Sequence, residues 1–193
     1  MRKTPPIHKA VQKNIYKQIP KGEGFLEYSL PNHFADVIWI NRKIIFEVQC
    51  SYISLENAIK RTSDYEKLGY TVVWILHQKF FNRRYVSSTE HYLRSKVCYF
   101  TDIAASGHGQ IYDQFETFKK GKRHLRSSRF IIDLSKPIQK NDKLTFQGDR
   151  HTQVNHLKTD FKTKSQSTCA SVVSKIIKFY DKNLLKFLKT LSH

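Results

Sequence analysis

Apolar and polar residues recur with two different periods in the first half of the chain. Apolar side chains recur at helical spacing from Ile7 to Ile19, with Pro6 at the start of the run and Pro20 after it, which predicts a first helix. Three short runs rich in Phe, Val and Ile then predict β-strands: residues 25–30, 34–40 and 43–50. The short turn "NRK" between the last two predicts an antiparallel hairpin.

A second amphipathic helix and a wholly apolar strand follow. Ser54 is a typical N-cap residue, apolar positions recur from Leu55 to Leu68, and Gly69 is a typical C-terminal stop. The segment "YTVVWIL", residues 70–76, predicts a buried strand, parallel to a neighbour because a helix crosses over to it. The order helix, three strands, helix, strand predicts an α/β fold with a three-stranded antiparallel meander.

The second half of the chain has a weaker pattern. Residues 87–100 predict a helix followed by a short strand, and residues 109–118 and 128–135 predict a hairpin around a basic loop. The resulting organisation is a domain at 1–137, a polar linker at 138–167 and a basic amphipathic helix at 168–193.

The charge of the chain indicates a class of partner. Lys and Arg number 34 against 16 acidic residues, a formal net charge of +18, which favours a polyanion such as DNA, RNA or an anionic membrane surface. A Lys-rich composition that serves only solubility is the plain alternative. The sequence contains no Walker loop, HExxH motif or CxxC pair, so P-loop hydrolysis and zinc catalysis are not supported.

Cysteine usage and hydropathy predict a cytoplasmic location. The three cysteines, Cys50, Cys98 and Cys169, form no paired motif, which is typical of a reduced intracellular protein. The first residues lack the apolar segment of a signal peptide, and the longest apolar runs are far too short to span a membrane. We therefore expect a soluble protein without a transmembrane segment.

Polar acceptors interrupt the two apolar strands of the predicted hairpin. Glu47 and Gln49 share one face of their strand, and the hairpin register can place Asp36 beside Glu47. Two buried carboxylates repel each other, and a divalent cation removes that cost. Asp36, Glu47 and the backbone carbonyl of Val48 are therefore candidate ligands for Mg²⁺ or Mn²⁺. The alternative to a metal site is purely structural: Asp36 would cap the end of a strand, and Glu47 would pair with a lysine.

These residues also carry a family resemblance. Asp36 followed by Glu47-Val48-Gln49 resembles the PD-(D/E)XK nuclease pattern, with Gln in place of the final Lys. The segments "ADVIW", "IIFEVQCSYIS" and "RTSDYEKLGYTVVWIL" resemble the nuclease domain of CoiA-like competence proteins. The resemblance covers about residues 7–76 and implies a restriction-endonuclease-like core, DNA as a substrate and recombination proteins as further partners.

The resemblance assigns roles to several residues and leaves others open. Asp36, Glu47 and Gln49 would be catalytic, with Gln49 holding a water, and Glu27 would be either a third acid of the site or an exposed strand residue. Arg61 and Tyr65 either brace Glu47, contact phosphate or lie in surface pairs. His8 stands where the family often has His, whereas the sequence alone favours a surface position for it. Candidate contacts to DNA are the following basic residues: Lys60, Arg61, Arg83, Arg84, Lys119, Lys120, Lys122, Arg123 and Arg126. Aromatic residues beside them can stack on unpaired bases: Phe80, Phe81 and Tyr85.

Two functions are consistent with this pattern. The first is a metal-dependent DNA nuclease that acts in DNA uptake, recombination or processing. The second is a non-catalytic DNA-binding or recombination-accessory protein on a nuclease scaffold, which the absence of Lys at Gln49 keeps open. The sequence does not determine the oligomeric state or the form of DNA.

Overall fold

The computed structural model of the protein describes residues 4–119, 121–140 and 143–149. The elements in chain order are α1 (Pro6–Gln18), β1 (Gly24–Ser29), β2 (Phe34–Trp39), a 3₁₀ turn (Ile40–Arg42), β3 (Ile44–Gln49), α2 (Leu55–Lys67), β4 (Thr71–His77), α3 (Ser88–Arg94), β5 (Val97–Thr101), β6 (Ile111–Asp113), β7 (Glu116–Lys119), β8 (Lys122–Arg126), β9 (Phe130–Ile131), β10 (Asp133–Lys140) and β11 (Lys143–Gln147). The mixed α/β class predicted from the sequence is confirmed. The predicted C-terminal helix lies outside the described residues.

Seven strands form the central sheet in the order β1-β2-β3-β4-β5-β6-β9. The first three strands pair antiparallel in sequence order, and β4 and β5 then add in parallel to β3 and to each other. The α2 crossover makes the parallel step from β3 to β4 possible, because parallel neighbours need a long connection. The carboxyl ends of β3, β4 and β5 therefore lie at one edge of the sheet.

Each face of the sheet packs on its own apolar cluster. On one face, Val11 and Ile15 of α1 pack with Val37 and Phe46. On the other face, Ala58 and Tyr65 of α2 and Leu93 of α3 pack with Trp74. Both strand faces are buried along β3 and β4, which is why these two strands have almost no polar face.

Local signals in the sequence explain where the central elements begin and end. The Ser54 hydroxyl caps α2 by accepting the Asn57 N–H at 3.2 Å. Gly69, with φ of 81°, ends the same helix in the left-handed region. Lys43, with φ of 52°, closes the 3₁₀ turn between β2 and β3. These turns fix the register of the strands that carry the candidate acids.

The second half differs from the sequence prediction in two places. The predicted hairpin of residues 109–118 with 128–135 is present as the pairing of β6 with β9, but a second hairpin, β7–β8, is inserted between them. The predicted linker from residue 138 is corrected, because β10 continues to Lys140 and pairs with β11. Phe146 of β11 is buried against the α1 face, so this polar stretch has an apolar anchor that its composition conceals.

None of the helices within the described residues combines the length and hydropathy that crossing a membrane requires.

Candidate active site at the fork between β2 and β3

The predicted acids lie where strands β2 and β3 separate, a place that we call the fork. The antiparallel pairing of the two strands ends at Val37 and Phe46. Strand β3 nevertheless continues to pair with β4 as far as Gln49. Asp36 and Glu47 are the next residues beyond the last β2–β3 pair, so the register places them opposite each other at the fork.

The Asp36 carboxylate takes the place of backbone pairing at the fork. Its Oδ2 accepts the backbone N–H of Val48 at 2.8 Å, and its Oδ1 accepts from Gln12 at 3.1 Å. His8 Nε2 contacts the same Oδ1 at 2.9 Å. Since the N–H and C=O of a strand residue point to the same side, the Val48 carbonyl also points towards β2. Helix α1 and strand β3 together hold the aspartate in place.

The Glu47 carboxylate is buried on the α2 side of the sheet, with 1% of the residue exposed. Tyr65 donates its hydroxyl to Oε1 at 2.7 Å. Arg61 Nη2 lies 2.9 Å from Oε2, yet this oxygen accepts no hydrogen bond from the described residues. The ion pair therefore lacks hydrogen-bond geometry and leaves a buried acceptor unsatisfied, which is costly. Of the alternatives for Arg61 and Tyr65, bracing of Glu47 is what the structure shows.

The surroundings of Glu47 favour its neutral form. Burial and then the negative charge of Asp36 raise its pKa to about 8, although Arg61 and the Tyr65 hydroxyl act in the opposite direction. A carboxylate that is buried next to another carboxylate gains from a nearby cation. The fork therefore has a deficit of positive charge that Arg61 only partly supplies.

The donors at the fork fit a hard divalent cation. Asp36 and Glu47 contribute carboxylate oxygens, of which Glu47 Oε2 accepts no hydrogen bond from the described residues, and the Val48 carbonyl is turned towards β2. Such an oxygen set suits Mg²⁺ or Mn²⁺, which retain waters and use one or two carboxylates. Within the described part of the chain, no group of three or more His, Cys, Asp or Glu side chains is arranged to hold a metal. The set therefore consists of two acids and a carbonyl.

Glu27, the third acid predicted for the site, lies on β1 between the Leu26–Val37 and Tyr28–Ala35 pairs, at the position across from Asp36. It is exposed on β1 and has φ of 49°, which interrupts the regular β1–β2 pairing beside Asp36. Of the two readings left open by the sequence, the exposed strand residue describes its position. Its participation in catalysis stays a prediction.

A cleft of about 750 Å³ opens beside the fork. Asp36, Val48 and Gln49 line it together with Lys60 and Arg61 of α2. The acids therefore have an approach from solvent through Asp36, while Glu47 lies beneath Arg61.

Gln49 is oriented by the loop that follows β3. Its Nε2 donates to the Ser51 carbonyl at 2.8 Å, which leaves Oε1 as the atom able to accept from a water in the cleft. The neighbouring Cys50 is buried, and burial raises the pKa of its thiol to about 12. Cys50 is therefore a buried core residue and not a nucleophile, because a nucleophilic cysteine needs a lowered pKa.

The predicted DNA contacts divide into four groups. Lys60 and Arg61 line the cleft, and four further cations are exposed elsewhere: Arg83, Arg84, Lys122 and Arg126. Arg123 is a correction, because its buried side chain pairs with Glu90 at 2.6 Å and Glu116 at 2.5 Å and cannot reach phosphate. The side chains of Lys119 and Lys120 lie outside the described part of the chain. Phe81 is also corrected, since it is only 4% exposed and cannot stack on a base.

Sequence reasoning missed the role of helix α1 at the fork. His8 contacts Asp36 instead of lying free on the surface, and Gln12 is buried with its amide on the same carboxylate. The signal in the sequence is the spacing, since His8 and Gln12 are one helical turn apart and Gln12 interrupts the apolar stripe of α1.

The mixed α/β fold is compatible with a nuclease-like domain. Residues 23–105 match the family model described as the nuclease-like domain of competence protein CoiA. The match covers less than half of the 193 residues and excludes α1. Neither the curated proteins nor the solved structures gave a match to the chain.

Proposed function

We propose that this protein is a divalent-metal-dependent deoxyribonuclease with a restriction-endonuclease-like core. The observation that carries the proposal is the position of Asp36 opposite the buried Glu47 at the fork, where Glu47 Oε2 accepts no hydrogen bond from the described residues. The CoiA family match and the net charge of +18 support it. The process served would be DNA uptake, recombination or processing in the cytoplasm, alongside recombination proteins.

Each residue at the fork has a definite task under this proposal. Asp36, Glu47 and the Val48 carbonyl would hold Mg²⁺ or Mn²⁺. A metal ion bound there would lower the pKa of a water molecule and neutralise negative charge on the phosphate. Gln49 Oε1 would orient the water. Lys60 and Arg61 would hold the phosphodiester against the cleft wall.

The decisive experiment measures DNA cleavage by Asp36→Ala and Glu47→Ala in Mg²⁺ and in Mn²⁺. Both variants should lose cleavage while melting cooperatively, because each removes a carboxylate ligand without opening a strand pair. The matched control is Glu66→Gln, an acid whose side chain is 50% exposed. Retention of native cleavage by either alanine variant, after repurification from a nuclease-deficient host, would refute the catalytic assignment.

One observation favours the second function, a non-catalytic DNA-binding protein on the same scaffold. The Arg61 guanidinium already lies 2.9 Å from Glu47 Oε2, so a protein side chain occupies part of the place a cation would take. If this pairing is permanent, the fork is complete without metal and the scaffold serves only to bind DNA.

Metal affinity separates the two functions. Arg61→Met keeps the apolar stem of the side chain but removes the charge that competes for Glu47. Under the nuclease proposal, calorimetry should detect Mg²⁺ binding to the native protein and tighter binding to Arg61→Met. Lys60→Met is the control, because Lys60 lines the same cleft and this substitution also removes one positive charge. No binding of Mg²⁺ or Mn²⁺ to any of the three proteins would favour the non-catalytic function.

A further inference from the structure

A second surface of the protein combines exposed aromatic rings with cations. The loop after β4 runs beside strand β8: Tyr85 and Lys122 form an antiparallel bridge, and the Arg84 carbonyl accepts the Arg123 N–H at 2.8 Å. We call this surface, formed by residues 79–87 and 121–126, the hairpin platform. Backbone pairing makes it a continuous small sheet and not two independent loops.

Buried ion pairs anchor the hairpin platform to the domain. Arg123 of β8 pairs with Glu90 of α3 and with Glu116 of β7, and the Glu90 Oε1 also accepts the Asn82 N–H at 3.0 Å. Because side chains alternate along a strand, the inward position of Arg123 turns its neighbour Lys122 outward. The buried arginine thus fixes the orientation of the exposed groups.

The exposed groups of the platform pair a ring with a cation in two places. Tyr85 is 63% exposed, with Lys122 Nζ 5.4 Å from its ring centroid. Phe80 is 42% exposed, with Lys79 Nζ 5.8 Å from its ring centroid. No acidic residue occurs in the sequence from 79 to 89 or from 117 to 132. The platform is therefore a positive surface with two accessible aromatic faces.

The platform and the fork lie at the same end of the strands, the carboxyl end of β3 and β4. Parallel pairing aligns the carboxyl end of β3 with that of β4, so the loop of the platform starts from the edge that carries Gln49. The loop after β3 also touches the start of α3, where Thr89 donates to the Ile53 carbonyl at 3.2 Å. Beside Ile53, Tyr52 is 78% exposed and lines the cleft.

We propose that Tyr52 and the hairpin platform bind single-stranded DNA and lead it to the cleft. Unpaired bases would stack on Tyr52, Tyr85 and Phe80, and their phosphates would meet Lys122 and the other exposed cations. A duplex keeps its bases stacked inside, so exposed rings gain nothing from it, and this is why the surface selects single strands. The choice of DNA as the strand rests on the proposed nuclease function, whereas the stacking does not.

The test is binding without cleavage. Fluorescence anisotropy in EDTA would compare a labelled oligo(dT) strand with a duplex of the same length, using the full chain. Tyr85→Ala should weaken single-strand binding by about 5-fold to 150-fold, the loss typical of one stacked base. Duplex binding should stay within about 2-fold, a difference of roughly 0.4 kcal/mol.

Two control variants separate stacking from other effects. Tyr85→Phe keeps the ring and should bind the strand as the native protein does. Phe25→Ala removes another exposed ring, 44% exposed, from β1 at the edge of the sheet, and should leave binding unchanged. Since Tyr85 is exposed, its substitution should not alter the melting temperature.

The outcomes are distinct from those of the nuclease proposal. Unchanged single-strand binding by Tyr85→Ala, or an equal loss for strand and duplex, would overturn the stacking platform. A protein that cleaves nothing in any metal but keeps the Tyr85 dependence would lack the proposed activity and retain this binding surface.

Discussion

Glu47 is the residue through which the fork affects the stability of the whole fold. Its pKa rises from an ordinary 4.5 to about 8 on folding, chiefly because of burial and the nearby Asp36 charge. The folded state thus binds this proton more tightly than the unfolded chain does. The resulting stabilisation is fully present below about pH 4.5 and is lost as the pH rises through about 8.

This linkage predicts a pH-dependent effect of Glu47→Gln in metal-free protein. The glutamine variant should unfold at higher urea concentration than the native protein at pH 8, by an amount on the order of a few kcal/mol, and the difference should shrink towards pH 5. Urea titrations in EDTA at several pH values measure this difference. Glu66→Gln, which changes an exposed acid, should show no such trend. A constant difference between native and Glu47→Gln protein at all pH values would contradict the buried, protonated glutamate.

At the scale of elements, β10 and β11 form a hairpin where the polar composition of the chain predicts a linker. Phe146 is 1% exposed, and its ring lies 6.0 Å from the rings of both Phe46 and Tyr99. The Tyr99 hydroxyl also donates to Asp149 at 2.6 Å. The hairpin therefore covers the α1 face of the sheet directly behind β3, the strand that carries Glu47.

We expect Phe146→Ala to destabilise the domain by about 3–5 kcal/mol, as is typical when a large core side chain is truncated. Ile138→Ala in the same hairpin is the control, because Ile138 is 45% exposed and should cost little. Chemical denaturation of both variants measures the difference. Equal stabilities would mean that the hairpin adds no packing to the core.

At the scale of the whole molecule, positive charge is spread far beyond the fork. The described elements fall within the unit of residues 1–150, whereas the sequence places five further lysines at helical spacing in residues 171–191: Lys175, Lys178, Lys182, Lys186 and Lys189. If these lysines contact phosphate, they add affinity that depends on salt and not on sequence.

A chain ending at Asp149 should therefore keep cleavage but bind DNA with a shallower salt dependence. Each lost phosphate contact lowers the slope of log affinity against log salt by about 0.7 to 0.9. Binding to one DNA across a salt series, for this chain and the full chain, measures the slopes. Equal slopes would assign the C-terminal residues to a role other than phosphate contact.

The sequence by itself determined the central elements and the identity of the two acids. Ser54, Gly69 and the short turn before β3 are local signals, and local signals can be recognised from the sequence alone. Asp36 and Glu47 stood out because carboxylates in apolar strands need a partner. Their register also followed from the hairpin, since a short turn pins two strands together.

Only the tertiary structure decided which charged groups are free to act. Arg123 and Arg126 look alike in a basic segment, but Arg123 is buried on acids from α3 and β7 that are distant in sequence. Gln12, on helix α1, donates a hydrogen bond to Asp36, which lies 24 residues later in the sequence. Such contacts depend on how elements pack across a sheet, and neither composition nor periodicity encodes that packing.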